Sequence, residues 1–317
     1  DSGRTLDNKP NMFLNFKRWN STSPIRSSRS SKGGGYFLVW RHQGILIDPG
    51  YDYLDAFLVP FTIDDIDAVI VTHDHPDHCN DLPKILNLLH DLNEIKVQVG
   101  LRPKRIDFFV SSGVDNRYGD MLRLEPAANV TVISPGRPIP LTGLRLECQS
   151  TQTQHPEISG GNNGFGLRIR SIPSGPLDLG VTGDTAYFRG LENAFDGVRV
   201  LVVHLGRLGH PVTRGFSDKH LSFPGIVTLV SQLSVDPHLV IIGEFGEEMN
   251  GKRKTTCDKL EEHILNQGRR VRCIPADRNM VLKFERGSLK VGRGSFCNSI
   301  ANLRITESEE SSIIYYD

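Results

Sequence analysis

The chain of 317 residues reads as an α/β protein built from two packed sheets with helices outside them. Three observations predict this. Short apolar strands recur along the chain between turn residues, several are followed by helical spacing, and one buried strand runs straight into a cluster of imidazoles and carboxylates.

Residues 1–35 read as a mobile N-terminal segment, because 21–35 is rich in Ser, Arg and Gly. Residues 36–40 and 44–48 form a hairpin turning near Arg41-His42-Gln43, and Pro49-Gly50 then breaks the chain. The apolar stretch Ile66-Asp67-Ala68-Val69-Ile70-Val71 makes the next strand. Residues 81–92 place Leu82, Ile85, Leu86 and Leu89 at helical spacing, with Pro83 in the first turn, where a missing N–H costs little. Further strands are expected at 97–99, 108–110, 130–133, 144–148, 165–169, 179–182, 200–204, 239–242, 271–274 and 280–284. Helices are expected at 224–233 and 257–266. Residues 298–317 form a polar tail, acidic in its middle.

Composition narrows the functional classes. Lys plus Arg (37) equals Asp plus Glu (37), so no net charge draws in nucleic acid or membrane from a distance. Five widely spaced cysteines (Cys79, Cys148, Cys257, Cys273 and Cys297) argue against a disulfide framework and for a reducing, cytoplasmic compartment. No apolar stretch approaches the roughly 18 residues that a membrane span requires. The opening Asp1-Ser2-Gly3-Arg4 has neither an initiator Met nor an apolar leader. That fits a trimmed or processed chain, or a piece of a longer protein.

The run Thr72-His73-Asp74-His75-Pro76-Asp77-His78 carries the chemistry. His73 and His75 stand two apart at a strand end and can point the same way. Asp77 and His78 flank the entrance to the next helix and can converge on a second position close by. Downstream candidates are His155, Asp184, His220 and Glu244, each beside a turn at the end of an expected strand or helix. Isolated His42, His90, His210, His238 and His263 are ordinary surface or core residues on this reading. Asp74 alternates away from its neighbours, which suits a solvated or outer role. Cys79 reads as a small buried thiol beside the site, and Gly33-Gly34-Gly35 lacks the helix and Lys-Ser/Thr of a phosphate loop.

His73-x-His75-x-Asp77-His78, followed in order by His155 and Asp184, resembles the metallo-β-lactamase fold superfamily over roughly residues 36–285. The resemblance implies an αββα four-layer sandwich, with the hydrolase domain at 36–297 and two metals at one edge. It implies that His73, His75 and His155 hold the first metal, that Asp77 and His78 hold the second, and that Asp184 bridges them. Two Zn²⁺ suit these ligands, with Mn²⁺ or Fe as alternatives. The superfamily usually places a His at the end of a late strand. Glu244 stands there and is the expected last ligand, with His220 the other candidate.

Gly183-Asp184-Thr185 and His220-Leu221-Ser222 resemble the ribonuclease Z-like phosphodiesterases, in which the equivalent of His220 is implicated as proton donor. That group carries a His followed by an acid on an earlier strand, whereas this chain has His204 followed by Leu205. The expected function is a phosphodiesterase or nuclease. Metals roughly 3.5–4 Å apart would share a hydroxide that attacks phosphorus in line. Asp77, His220 and His204 are the expected catalytic side chains, with His220 first and His204 second as proton donor. The expected partner is a nucleic acid or nucleotide phosphodiester, with no membrane. Members of the resembled group often form homodimers. Arg102-Pro103-Lys104-Arg105 and Lys252-Arg253-Lys254 could hold flanking phosphates, although basic runs are more often solvated surface. The alternative is a carbonyl hydrolase acting on a lactone, thioester or β-lactam.

Overall fold

The computed structural model describes residues 6, 9–20, 33–141, 143–158, 160–173, 175–209, 219–285 and 288–293, and the backbone of 303–306. The serine-rich stretch at 21–32, His210, Cys297 and most of the polar tail lie outside these residues.

The chain opens with β1 (Met12–Asn15) and β2 (Trp19–Asn20), then the hairpin β3 (Tyr36–Trp40) and β4 (Gln43–Ile47). Helix α1 (Tyr53–Phe57), β5 (Ala68–Val71), α2 (Pro76–Cys79) and α3 (Leu82–Gln98) follow. Next come β6 (Ile106–Val110), α4 (Ser112–Leu124), β7 (Ala128–Val132), β8 (Pro138–Ile139), β9 (Leu146–Gln152), β10 (Phe165–Ser171) and β11 (Asp178–Val181). The later part runs α5 (Leu191–Phe195), β12 (Val200–Arg207), β13 (Leu221–Ser222), α6 (Phe223–Gln232), β14 (Leu239–Phe245), α7 (Arg253–Asn266) and β15 (Arg272–Pro275). Strands β16 (Met280–Glu285), β17 (Ser288–Arg293) and β18 (Leu303–Thr306) close the described chain.

Among the described residues these strands make two nine-stranded sheets. The first has the order β18-β17-β16-β1-β3-β4-β5-β6-β7, and the second β15-β14-β12-β11-β10-β9-β8, with β13 on β12 and β2 on β14. Alternation along each strand sends one set of side chains between the sheets and the other outward. Phe13, Tyr36, Ile45 and Ile70 of the first sheet meet Leu167, Leu179, Val202 and Ile241 of the second in the central core. Outside the first sheet, Phe37, Val69 and Phe108 are covered by Leu54, Leu82, Ile85 and Val114 from α1, α3 and α4. Outside the second, Leu201, Val203 and Val240 are covered by Phe195, Ile226 and Leu260 from α5, α6 and α7. The result is the four-layer αββα sandwich expected from sequence.

Several local expectations give way. Met12–Asn15, within the segment read as mobile, is a buried strand paired antiparallel to both β3 and β16. Its four residues, Met-Phe-Leu-Asn, are too short to show a period but complete the sheet once it exists. Residues 97–99 are the exposed end of helix α3 rather than a strand. No breaker precedes Gly100, so the helix propagates through β-branched residues. Leu303–Thr306, read as part of a polar tail, pairs with β17.

Cys79, Cys148, Cys257 and Cys273 are buried free thiols. No helix of the described residues is long and apolar enough to cross a membrane.

Candidate metal centre

Strands β4, β5 and β6 run parallel, as do β11, β12 and β14. Their C-terminal ends open onto one rim, where loops carry polar groups that a sheet interior could not accept. His73 follows β5, and His75 caps the short helix α2, which contains Asp77 and His78. His155 follows β9 and Asp184 follows β11, while His204 and Glu244 lie near the ends of β12 and β14. His220 precedes β13. Residues spread over 170 positions of sequence therefore meet at one place.

Two groups of donors form there. The ligand atoms of His73, His75, His155 and Asp184 lie within 4.8 Å of one another, and so do those of His78, Asp184, His204 and Glu244. Asp184 Oδ2 stands at the centre, 3.5 Å from His73 Nε2, 3.7 Å from His155 Nε2, 3.3 Å from His78 Nε2 and 3.5 Å from His220 Nδ1. His155 Nε2 and His75 Nδ1 are 3.0 Å apart. Asp77 is buried, with Oδ2 4.0 Å from His78 Nε2 at the edge of the second group.

Outer contacts select which ring nitrogen faces inward. His78 Nδ1 donates to Asp48 Oδ2 (3.0 Å), and Asp48 is itself held by Thr72 N (2.7 Å) and Thr72 Oγ1 (2.8 Å). His155 Nδ1 donates to the Lys219 carbonyl at 2.6 Å. Each bond commits the outer nitrogen as donor and turns Nε2 inward, the orientation a metal-binding imidazole needs.

Buried His73 Nε2 and His78 Nε2, and Nδ1 of His220, make no hydrogen bond although all three face a carboxylate. Buried polar groups are normally satisfied, so this convergence is costly unless a cation occupies the middle. The imidazole and carboxylate donors fit a divalent metal of the zinc type.

Charge states follow the same geometry. Burial, reinforced by His78, pulls the His73 imidazole down to about 4. Burial pulls His155 down to about 2. Burial also pushes Asp77 up to about 6. For Asp184 burial acts upward, but the charges of His220 and His78 and the bonds to His204 and His73 hold the carboxyl well below its usual range. His204 is opposed by burial, yet its bonds to Asp184 and Glu244 carry it up to about 10.

All of the sequence-derived site residues gather at this rim. His204, the second choice as proton donor, is buried with both ring nitrogens engaged. Nδ1 lies 2.8 Å from Asp184 Oδ1 and 3.2 Å from Glu244 Oε2, and Nε2 lies 3.0 Å from Tyr36 Oη. His220 is the outermost member, its side chain 24% exposed and its ring 4.8 Å from that of His155. Gly206 makes room for it, since a Cβ there would fall on the His220 side chain. Leu205, where an acid was sought, packs into the outer core of the second sheet.

Some other expectations need correction. Of the two roles expected for Asp74 the outer one holds: at 1% exposure its Oδ1 accepts from Ile158 N (2.7 Å), tying the His155 loop to the histidine motif. Arg253 is buried, donating to the carbonyls of Trp19 (3.0 Å) and Ala276 (2.6 Å), so the run at 252–254 offers no phosphate cradle there. Lys104 is paired with Asp67. Residues 102–105 precede β6, at the opposite end of the sheet from the rim and roughly 15 Å away along the strands. Cys79 is, as expected, a buried thiol beside the site, donating to the His75 carbonyl, with burial pushing it up to about 12.

Sequence reasoning overlooked Asp48, Tyr36 and Trp19. The Trp19 ring lies edge-on to His78 (4.6 Å) and His204 (4.8 Å). Asp48 had a local signal, a carboxylate ending a strand before Pro49-Gly50. Tyr36 and Trp19 had none.

A layered α/β sandwich with a histidine- and aspartate-lined rim that could hold a divalent metal defines a metallo-hydrolase fold. The chain belongs to the beta-lactamase superfamily domain family, which matches residues 43–242. It is 25% identical over 229 residues to the uncharacterized protein MJ1374 of Methanocaldococcus jannaschii, covering 70% of this chain and 76% of that protein. Its structure is similar to that of the metallo-beta-lactamase fold protein YhfI from Bacillus subtilis, with a TM-score of 0.65 and 14% identity, covering 86% and 99% of the two chains. It is also similar to the short form of human tRNase Z, with a TM-score of 0.58 and 12% identity, covering 86% and 99%.

Proposed function

We propose that the chain hydrolyses phosphodiester bonds, in a nucleic acid or a nucleotide, as a member of the ribonuclease Z-like branch. Two divalent cations would serve, Zn²⁺ by preference and Mn²⁺ or Fe as alternatives. His73, His75 and His155 would hold the first, Asp77, His78 and Glu244 the second, and Asp184 would touch both. When bound, such a pair makes water a competent nucleophile near neutral pH and offsets charge on phosphoryl oxygens.

The observation that carries this reading is His220. It stands on the open side of the cluster, its side chain 24% exposed and its ring against that of His155. A departing alkoxide is a poor leaving group, and an imidazole at the mouth can give it a proton. Asp48 and the Lys219 carbonyl keep His78 and His155 turned inward, and buried Trp19 packs against His78 and His204. The structural likeness to human tRNase Z supports the fold on which this reading rests.

The test is turnover of an RNA oligonucleotide, bis(p-nitrophenyl) phosphate, a lactone and a β-lactam, each with Zn²⁺ or Mn²⁺. Hydrolysis of the phosphodiesters is expected, and turnover of the carbonyl substrates alone would overturn the proposal. His220→Asn should lower kcat on RNA by about 10²–10⁴. It should cost far less with the nitrophenyl ester, whose leaving group needs no proton, and leave metal content unchanged.

A further inference from the structure

Glu244 stands where the resemblance implies a late-strand histidine, which would leave the second cation short of an imidazole. We propose that His204, one strand over on β12, supplies that imidazole through Nδ1, and that Tyr36 fixes the tautomer that allows it. The inference rests on the two-cation reading above and deepens it by reassigning a ligand.

The backbone makes the exchange possible. Strands β12 and β14 pair Val203 with Ile242 and then His204 with Glu244, so Gly243 is the extra residue of a bulge. Without it His204 would face Gly243, and Glu244 would fall on the other face of the sheet. The bulge brings imidazole and carboxylate side by side at the rim, with His204 Nδ1 and Glu244 Oε2 3.2 Å apart. The residue must be glycine, because its missing Cβ leaves the space that the Tyr36 hydroxyl fills.

Distances within the group match a coordination shell. Donors at about 2.0–2.1 Å from a tetrahedral zinc lie about 3.3–3.4 Å from one another. The pairs here are 2.8 Å (His204 Nδ1 to Asp184 Oδ1), 3.2 Å (His204 Nδ1 to Glu244 Oε2), 3.3 Å (His78 Nε2 to Asp184 Oδ2) and 3.8 Å (His78 Nε2 to Glu244 Oε2). They straddle the ideal value, so small side-chain rotations complete the shell.

Tyr36 decides the tautomer. Its buried hydroxyl lies 3.0 Å from His204 Nε2 and would accept from it once a cation displaces the proton that Nδ1 holds between Asp184 and Glu244. Asp48 serves His78 in the same manner from the opposite side. The Trp19 ring sits against both imidazoles and keeps their planes apart. A leaving-group acid must reach solvent or substrate, which His204, 1% exposed, does not.

The experiment is a Zn²⁺ titration of metal-free protein against a chromophoric chelator, with elemental analysis of zinc per chain. Wild type is expected to bind two equivalents. His204→Ala and His204→Gln should bind one, with the affinity of the remaining site unchanged. Tyr36→Phe, which preserves the ring packing, should keep two equivalents but weaken the looser one by about 10–100-fold, the usual cost of losing an outer hydrogen bond to a ligand. Circular dichroism checks that each variant folds. If His204→Ala does not fold, His204→Gln and Tyr36→Phe carry the test. Two equivalents at wild-type affinity in the His204 variants would overturn the assignment of His204 while leaving two cations in place. Fewer than two in wild type would overturn the two-cation reading itself.

Discussion

The two halves of the site are built differently. The first group draws His73 and His75 from one short run and adds a His and an Asp from loops, each following a regular strand. Its geometry needs only that those strands end at the same rim. The second group takes His78 from the same run and shares Asp184, but its remaining members, His204 and Glu244, sit inside β12 and β14, and their alignment depends on one extra residue in a parallel ladder. The first half is robust to small changes in sheet register. The second half has a single point of failure in the backbone.

The largest effect should come where the halves meet. Asp184→Asn keeps the shape of the side chain but removes the charge that both groups surround, so both zinc equivalents and all activity should be lost. His155→Ala should remove only the first equivalent, as measured by zinc per chain. Retention of both cations by Asp184→Asn would show that the halves are independent.

Gly243→Ala should act on one half alone. A methyl placed on the Tyr36 hydroxyl forces strain of about 1–3 kcal/mol, measurable by urea denaturation of metal-free protein. The looser zinc site should weaken while the tighter one is unchanged. An equal effect on both would remove the contrast drawn here.

The smallest effect is on pH dependence in the metal-free protein. His73 and His155 are held neutral, near 4 and 2 against 6.5 when unfolded, so the unfolded chain binds more protons below pH 6.5. Their stabilising contribution is complete above that pH and is lost as pH falls. Asp77, raised from 3.8 to about 6, works the other way between those values. His75, also lowered by burial, adds to His73 and His155 against Asp77, so the metal-free centre loses stability between pH 6.5 and 4, on the order of 1.4 kcal/mol per pH unit for each net proton. Thermal melts across that range should show it, and His155→Gln should flatten the slope.

Legibility in the sequence follows the same division. The histidine run stands at a strand end, and local spacing alone makes it readable. His155, Asp184 and Glu244 are readable from their order and from the strands before them. The bulge at Gly243 is not, because Ile241-Ile242-Gly243-Glu244 looks like any strand reaching a turn. Tyr36 and Trp19 read as core aromatics, which they also are. Arg253 read as part of a surface charge run, since a sequence does not show that the carbonyls of Trp19 and Ala276 await a donor. The strand at Met12–Asn15 is too short to carry a period, and only its two neighbours in the sheet define it.

Arg253 has a practical consequence for anyone cutting the chain. Its guanidinium fastens Trp19, 234 residues earlier, into the wall behind two of the imidazoles. A fragment trimmed to the family-matched span, 43–242, would retain every histidine of the metal centre yet omit Trp19, Tyr36, Glu244 and Arg253. Such a piece would still look intact to a motif search while lacking one side of its cage.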